Sequence, residues 1–284
     1  MRETCAILAS TRRFGKGEKK MWVYNKLATL NPLLVYLIIS TIFLGFSLVI
    51  AFATHHFTNY QTRRTHNDIA GFIFTTVGTI YAVLLAFITV IVWEQYNAAS
   101  ENAAKEATMA LAMYRNLSLY PDQEQAGKVA QNLLAYIHAV AEDEFPKMAK
   151  MERSQTTAQA IDLLWANTIR LKAKNLHDQT LFSEIVKEMN NIAQLRAERL
   201  GSIFSPKLIS IMRSILVFGG LITLTLAFFF GAESFCWHTI MTILLAILIA
   251  SILFVLVELA HPFTSGLAIQ PVGYINVLEI IGNK

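Results

Sequence analysis

Residues 69–116 read IAGFIFTTVGTIYAVLLAFITVIVWEQYNAASENAAKEATMALAMYRN, and this stretch decides the fold. From Ile69 to Val92 no side chain carries a formal charge, and a helix of that length crosses about 30 Å of hydrocarbon. Trp93 and the charged residue after it mark a membrane interface. No glycine or proline follows until Pro121, and the intervening residues favour helix. One continuous helix should therefore leave the membrane and continue into water.

Two stripes follow the membrane half of this helix at steps of three and four residues. The first stripe is small and weakly polar, and it consists of Thr75, Thr79, Ala82, Ala86, Thr89 and Trp93. The second stripe is bulky, and it consists of Phe72, Thr76, Ile80, Val83, Phe87 and Ile91. Small residues allow helices to approach closely, so the first stripe predicts either a packing seam or the wall of a pore.

The composition indicates an integral membrane protein. Of the 284 residues, 54% are hydrophobic and only 15% are charged, which is more apolar surface than a soluble domain can bury. The net charge of +4 comes mainly from residues 1–30, so we interpret it as membrane topology and expect no nucleic-acid partner. Cys5 and Cys236 should lie on opposite sides of the membrane, and no cysteine or histidine spacing indicates a metal or cofactor.

The chain divides by charge and hydropathy into five parts. They are a basic arm (1–30), a transmembrane hairpin (31–96), a helical domain (97–208), a second hairpin (209–258) and a tail (259–284). The predicted spans cover about 33–54, 69–93, 209–231 and 238–257. Basic residues concentrate in the arm, so both termini and the helical domain should be cytoplasmic. The arm could also precede a natural start at Met21.

The helical domain should consist of amphipathic helices that pack on each other or on a neighbouring subunit. One helix should end near Phe145-Pro146, Ser154 should cap the next, and the last should run from about Asp178 to Phe204. Acidic and basic residues nearly balance here, which predicts ordinary solvated helix faces. The acidic run 142–144 should not bind a cation, because consecutive helix positions point in different directions.

The link between the first two spans is polar. It contains Arg63 and Arg64, and it should face outward together with the turn at Glu233. Its three histidines, His55, His56 and His66, could form a metal site or a pH sensor, but solvated loop residues are the favoured interpretation.

Three parts of the sequence together carry a family resemblance. They are YAVLLAFITVIVWEQYNAASENAAKEA at 81–107, EDEFPKM at 142–148 with QLRAERL at 194–200, and ELAHPFTSG at 258–266. In these segments the chain resembles the bestrophin-like family of bacterial membrane proteins, long catalogued as a domain of unknown function. The family is distantly similar to bestrophins, which are pentameric anion channels with four spans and a pore lined by the second helix.

The resemblance implies an all-α, four-span membrane protein of the bacterial inner membrane. It further implies a pentameric homo-oligomer that passes small inorganic ions. The sequence departs from bestrophins in two respects: the second span has no proline, and the acidic calcium clasp of the animal proteins has no counterpart. The nearest candidates for the bulky pore residues are Ile80, Val83 and Phe87.

The leading hypothesis is thus an oligomeric channel for anions such as chloride. Pore-lining candidates are Thr75, Thr79, Ala82, Val83, Ala86, Phe87, Thr89 and Trp93, and outer-mouth candidates are Arg63 and Arg64. No acidic residue lies within the spans and the one lysine or arginine there, Arg213, lies near the start of the third, which argues against a proton-coupled transporter. The alternative is a non-conducting scaffold or signalling protein whose helical domain binds a partner. An enzyme is not expected, since no nucleophile–base pair or phosphate-binding glycine loop occurs.

Overall fold

The structure is a computed structural model that describes residues 31–57, 60–204 and 207–282. Within these ranges every regular element is helical, as predicted; the basic arm and Cys5 lie outside them. The helices are α1 (Pro32–Phe57), α2 (Tyr60–Thr65), α3 (Asn67–Ser118), α4 (Gln123–Ala139), α5 (Phe145–Ala149), α6 (Gln155–Thr168), α7 (Leu176–Phe204), α8 (Lys207–Ala227), α9 (Phe235–Leu259) and α10 (Val272–Gly282). A π-helical turn, Val140–Glu144, joins α4 to α5.

Helix α3 confirms the continuous helix that the sequence predicts. It runs for 52 residues without a break at Trp93 and is about 78 Å long at 1.5 Å per residue. Three of its threonines form hydrogen bonds within the helix. The hydroxyls of Thr76, Thr79 and Thr89 donate to the carbonyl four residues earlier at 2.9, 2.8 and 2.7 Å. The hydroxyl hydrogens are thus satisfied without a neighbouring helix.

The first half of α3 packs with α1, α8 and α9 into what we call the membrane bundle. The core of this bundle is formed by Phe43, Tyr81, Leu85, Ile88, Val92, Leu216, Leu224, Ala246, Ile249, Ala250, Leu253, Leu256 and Leu259. Gly219 of α8 permits the closest approach, since a Cβ there would stand 2.6 Å from the Tyr81 ring. The absence of a side chain at Gly219 thus lets α8 pack closely on α3.

Three described helices are long and apolar enough to cross a membrane, namely α1, α3 and α9. They contain the predicted spans 33–54, 69–93 and 238–257. The apolar part of α8, Ser214–Ala227, is shorter than those of the other three. The helix ends at Ala227, four residues before the predicted limit of 231. The chain is a membrane protein, and the crossing by α8 stays a prediction.

The second half of α3 packs with α4, α6, α7 and α10 into a second core, which we call the helical domain. Small residues on α3, namely Ala99, Ala103, Ala107 and Ala110, allow α7 to approach closely. Helix α7 contributes Ile185, Met189 and Ile192 to this core, and all three are completely or almost completely buried. One helix therefore belongs to both cores.

Two predicted boundaries in the helical domain have different outcomes. The end near Phe145-Pro146 is wrong: the helix continues to Ala149, because the preceding π turn changes the hydrogen-bond register where Pro146 offers no N–H. The cap at Ser154 is confirmed, since its hydroxyl accepts from Thr157 N at 2.9 Å.

The tail packs on the helical domain. Tyr274, Val277 and Ile281 of α10 are buried against α3 and α4. The turn before α10 approaches the start of α1 so closely that any side chain at Gly266 would overlap the Pro32 ring. The tail thus contacts both the helical domain and the first membrane helix.

Candidate functional site

Helix α3 packs on its own chain along one side only. In the membrane half that side is Tyr81, Leu85, Ile88 and Val92, at steps of four, three and four residues. The residues across the helix from them, among them Thr79, Val83 and Val90, are exposed in the part of the chain that the structure describes. We call this surface the exposed side of α3.

The pore-lining candidates all lie on or beside the exposed side. Thr75, Thr79, Ala82, Ala86, Val83, Phe87 and Trp93 are exposed, and Thr89 is half-buried. Val83 is 51% exposed and Phe87 67% exposed, so neither side chain is covered by another described element of the chain. Neither stripe is a seam within one chain. Whether they line a pore stays a prediction.

Two threonines of the first stripe, Thr79 and Thr89, donate their hydroxyl hydrogens within the helix. Thr79 Oγ1 donates to Thr75 O at 2.8 Å, so its hydrogen is occupied inside the helix. Such an oxygen can accept a hydrogen bond from water or contact a cation. It can donate to an anion only after the bond to the carbonyl is broken.

The exposed side of α3 changes character beyond Trp93. Its exposed residues there include Asn97, Glu101, Lys105 and Thr108, and Lys105 Nζ pairs with Glu101 at 2.9 Å. The surface is thus apolar with hydroxyl groups where the helix crosses the membrane and charged where it leaves it. This division suits contact with water beyond the membrane.

The outer-mouth candidates lie on α2, which is fixed to the α8–α9 loop. Arg64 Nη1 lies 3.4 Å from Glu233 Oε1, and both side chains are exposed. Asn67 and Gly231 exchange two hydrogen bonds, of 3.1 and 2.8 Å. Arg63 is half-buried, and its Nη1 donates to Phe228 O at 3.4 Å. The charge of Arg64 is therefore balanced within the chain, and a role of either arginine at a pore mouth stays a prediction.

A buried charge cluster joins α3, α4, the π turn and α7. Arg199 Nε lies 2.9 Å from Glu106 Oε2, and Arg199 Nη2 lies 2.7 Å from Glu144 Oε2. Arg196 Nε donates to Glu144 at 3.1 Å, and Tyr136 Oη donates to Glu106 at 2.6 Å. Glu106, Glu144 and Arg199 are completely buried. The prediction of solvated helix faces is wrong for these residues.

The electrostatics of the cluster combine deep burial with the pairing of opposite charges. Burial has the largest single effect and would lower the pKa of Arg199, but Glu106, Tyr274 and Glu144 together raise the pKa well above its ordinary value. Burial, followed by the Glu106 charge, raises the pKa of Tyr136 and of Tyr274 well above the ordinary value. Two arginines balance two glutamates, and the tyrosines stay neutral.

Aromatic rings from the segments that carry the family resemblance surround this cluster. The ring of Phe145 lies 5.2 Å from Arg199 Cζ, which allows a cation–π contact. Phe145 also meets Phe263 and Tyr274 edge to face, with ring centroids 5.8 and 5.6 Å apart. The segments 81–107, 142–148, 194–200 and 258–266 thus meet in one place.

The sequence contained a signal for this cluster. Glu106 continues the spacing of Ala99, Ala103 and Ala110, so the periodicity of the buried side assigns it to the core. Arg199 continues the spacing of Ile192 in the same way. The acidic run diverges as predicted: Glu142 faces His138, Asp143 faces Lys147, and Glu144 enters the cluster. Among the described residues no group of side chains is arranged to hold a metal.

Comparison with known proteins gives one family. The model of the Bestrophin-like domain matches residues 41–274. Two crystal structures of a bacterial bestrophin homologue from Klebsiella pneumoniae, each with a different point substitution, superpose with a TM-score of 0.65, at 13% and 14% identity. They cover 87% of this chain and 99% and 98% of theirs. A crystal structure described as a membrane protein gives a TM-score of 0.64 at 13% identity, covering 87% of this chain and 98% of that one. No curated protein matches.

Proposed function

Because the chain belongs to the bestrophin-like family, we propose that it assembles into an oligomeric ion channel with the exposed side of α3 around the pore. The observation that carries this proposal is the exposed side itself. It is unpartnered in the single chain and continues from the membrane half of α3 into its charged half.

The two halves of α3 have different requirements for cover. Lipid can cover apolar residues such as Val83 and Val90, but it cannot reach Glu101 and Lys105 beyond the membrane. A surface that is continuous across both zones suits a water-filled path, which both kinds of residue can line. The helix spacing keeps both on the same side of α3.

Assembly follows from the same surface. One α3 cannot enclose a path by itself, so copies of the chain must bring their exposed sides together around an axis. Five copies are proposed from the resemblance to bestrophins, in the bacterial inner membrane with both termini cytoplasmic. Basic residues in the arm support that orientation.

The permeant ions are proposed to be anions such as chloride. This part of the proposal comes from the resemblance, and we expect selectivity by the membrane half of α3 to be weak. No formal charge occurs from Ile69 to Val92, and the hydroxyl of Thr79 is already bonded to Thr75. Apolar rings such as Phe87 would then restrict flow by excluding water when the path is narrow.

Planar bilayers test the proposal directly. Purified protein should give discrete currents in a chloride salt gradient, and the reversal potential gives the sign of the ion. Thr79→Trp should abolish the current while the oligomer mass is retained, because a bulky ring obstructs a path without removing a contact. Leu244→Trp is the matched control, since Leu244 is 61% exposed on a different helix, α9.

The possible results separate the two functions. Loss of assembly in Thr79→Trp would identify the first stripe as a seam between subunits. Absence of current from the unsubstituted oligomer at every voltage and salt gradient would contradict conduction and favour the scaffold alternative. A cation-directed reversal potential would retain the channel and overturn the anion assignment.

A further inference from the structure

An apolar groove lies at the outer end of the membrane bundle, between α3 and α8. Its volume is about 470 Å³, and its walls are Ile69, Ala70, Ile73, Leu226 and Phe229, with Arg63 at one end. Helix spacing places Ile69 and Ile73 in line with Phe87 and Ile91 of the second stripe, and Ala70 in line with the buried Ile88. The groove therefore lies away from the threonine stripe, on the side of α3 that turns towards α8.

The Arg63 guanidinium in this groove is poorly satisfied. It has five N–H donors, yet it makes one hydrogen bond in the described chain, to Phe228 O at 3.4 Å. Its Nε is enclosed and has no hydrogen-bond partner. The nearby carboxylate of Glu233 is engaged by Arg64 at 3.4 Å. A guanidinium that lies beside apolar walls and has so few hydrogen-bond acceptors would be stabilised by an anionic acceptor.

The position of the groove identifies the source of that acceptor. Arg63 precedes Ile69, the first residue of the uncharged run, so it lies where the membrane meets water. Phosphate groups of lipids occupy this depth, and their acyl chains extend from it along apolar surface. An arginine fork followed by about one turn of apolar wall fits both parts of such a molecule.

We propose that this groove binds a membrane phospholipid with an anionic headgroup. The phosphate accepts hydrogen bonds from Arg63, and one acyl chain lies along Ile69, Ile73 and Phe229. A dissolved phosphate ion could satisfy Arg63 but would leave the apolar walls uncovered. A second copy of the chain could cover the walls but brings no obvious phosphate.

Native mass spectrometry of the assembled protein tests this proposal. The protein is released from detergent with dioleoyl phosphatidylglycerol or dioleoyl phosphatidylcholine, and the lipid that each oligomer retains is counted. Arg63→Gln should lower the affinity for phosphatidylglycerol about tenfold, which is the loss expected for a charge-assisted hydrogen bond. Arg64→Gln is the matched control and should retain the lipid.

A second pair of variants tests the apolar walls. Ile73→Trp fills the groove and should abolish retention of both lipids, whereas Leu244→Trp on the other face of the bundle should not. If Ile73→Trp does not fold, Ala70→Leu fills the same groove with a smaller side chain. Inorganic phosphate should not displace the lipid from the unsubstituted protein. Any binding of phosphate alone should be the same with and without the substitution at residue 73.

The proposal is overturned by any of three results. Arg63→Gln could retain phosphatidylglycerol as well as the unsubstituted protein does. Inorganic phosphate could displace the lipid from the unsubstituted protein, which would make Arg63 a site for a dissolved anion. The filled variant could change the oligomer mass, which would make the groove a contact between copies. None of these results depends on whether the oligomer conducts ions.

Discussion

The buried charge cluster shows how a single residue holds separate helices together. Arg199 is completely buried and reaches Glu106 on α3 and Glu144 on the π turn. A buried ion pair contributes little net stability when complete, because the desolvation of its charges offsets their attraction. Removal of only one partner is costly, because the remaining charge is then buried without a partner and without water. The cluster therefore specifies which surfaces of α3, α7 and the π turn meet.

Arg199→Met should lower the free energy of unfolding by about 3–5 kcal/mol, because two glutamates would then share Arg196 alone. Thermal unfolding in detergent measures the effect. Lys105→Met is the control: its pair with Glu101 is exposed and should change stability by about 0–1 kcal/mol. Equal shifts in the two variants would show that the cluster does not hold the domain together.

Glu188 on α7 gives a pH dependence at the same scale. Its Oε1 accepts from Asn116 at 2.9 Å, while Oε2 is enclosed without a partner. Burial raises the pKa of this carboxyl, and the bond from Asn116 opposes the rise without cancelling it. The folded protein thus binds the proton more tightly than the unfolded chain does. That contribution to stability is complete below the unfolded pKa and is lost as the pH rises through the folded pKa.

Glu188→Gln cannot ionise, so it should gain stability relative to the unsubstituted protein as the pH rises. The difference in melting temperature between the two proteins should be smallest near pH ~4 and larger at neutral pH. Glu124→Gln, which removes an exposed carboxylate paired with Lys128, should show no such increase. A difference that is flat across this range would contradict the assigned burial effect.

At the scale of the helix, α3 and α8 meet where one glycine faces one tyrosine. A Cβ at Gly219 would stand 2.6 Å from the ring of Tyr81, which is buried and cannot move into solvent. Gly219→Val should therefore destabilise the bundle by about 1–3 kcal/mol, as overpacking does in a filled core. Tyr81→Leu should recover part of the loss when combined with it, because the smaller side chain removes the clash. Unfolding in detergent measures both variants.

Gly78 provides the comparison for that prediction. It lies on the same α3, but a Cβ there would have nothing within 4 Å. Gly78→Ala should therefore leave stability unchanged or raise it, since alanine favours helix. If Gly78→Ala destabilised the protein as much as Gly219→Val, helix propensity rather than the contact with Tyr81 would explain both.

The elements differ in how much the sequence could predict of them. The length of α3 was predictable, because apolar residues and strong helix formers follow each other from Ile69 to Arg115 without a breaker after Gly78. The helix through Pro146 was not, since a π turn depends on the partners that Glu144 finds on α7. The charge of Glu106 predicts exposure to solvent, whereas the side of the helix on which it lies predicts burial, and burial is what the structure shows. The threonine stripe could be placed on one side, but not assigned a neighbour.

At the scale of the whole molecule, α3 is the element that both cores share. Its first half is fixed by Tyr81 and Leu85 in the membrane bundle, and its second half by the alanines that face α7. A displacement of the helical domain would therefore pass along one rigid helix to the exposed side in the membrane. This coupling needs no further contact between the domains. In the proposed oligomer, such a displacement would reach the exposed side of every subunit.

A substitution at Phe87 tests the proposed pore, because the Phe87 side chain is largely exposed in the single chain. It is 67% exposed, so Phe87→Ala should change the stability of the subunit only slightly. If the ring narrows a pore, its removal widens the narrow apolar section and lowers the cost of wetting it, and the single-channel current should rise several-fold. Phe218→Ala on α8 removes the same ring at 66% exposure and should leave the current unchanged. Equal currents in the unsubstituted protein and both variants would place Phe87 in lipid or between subunits, and the narrow section of the path would have to be formed by other residues.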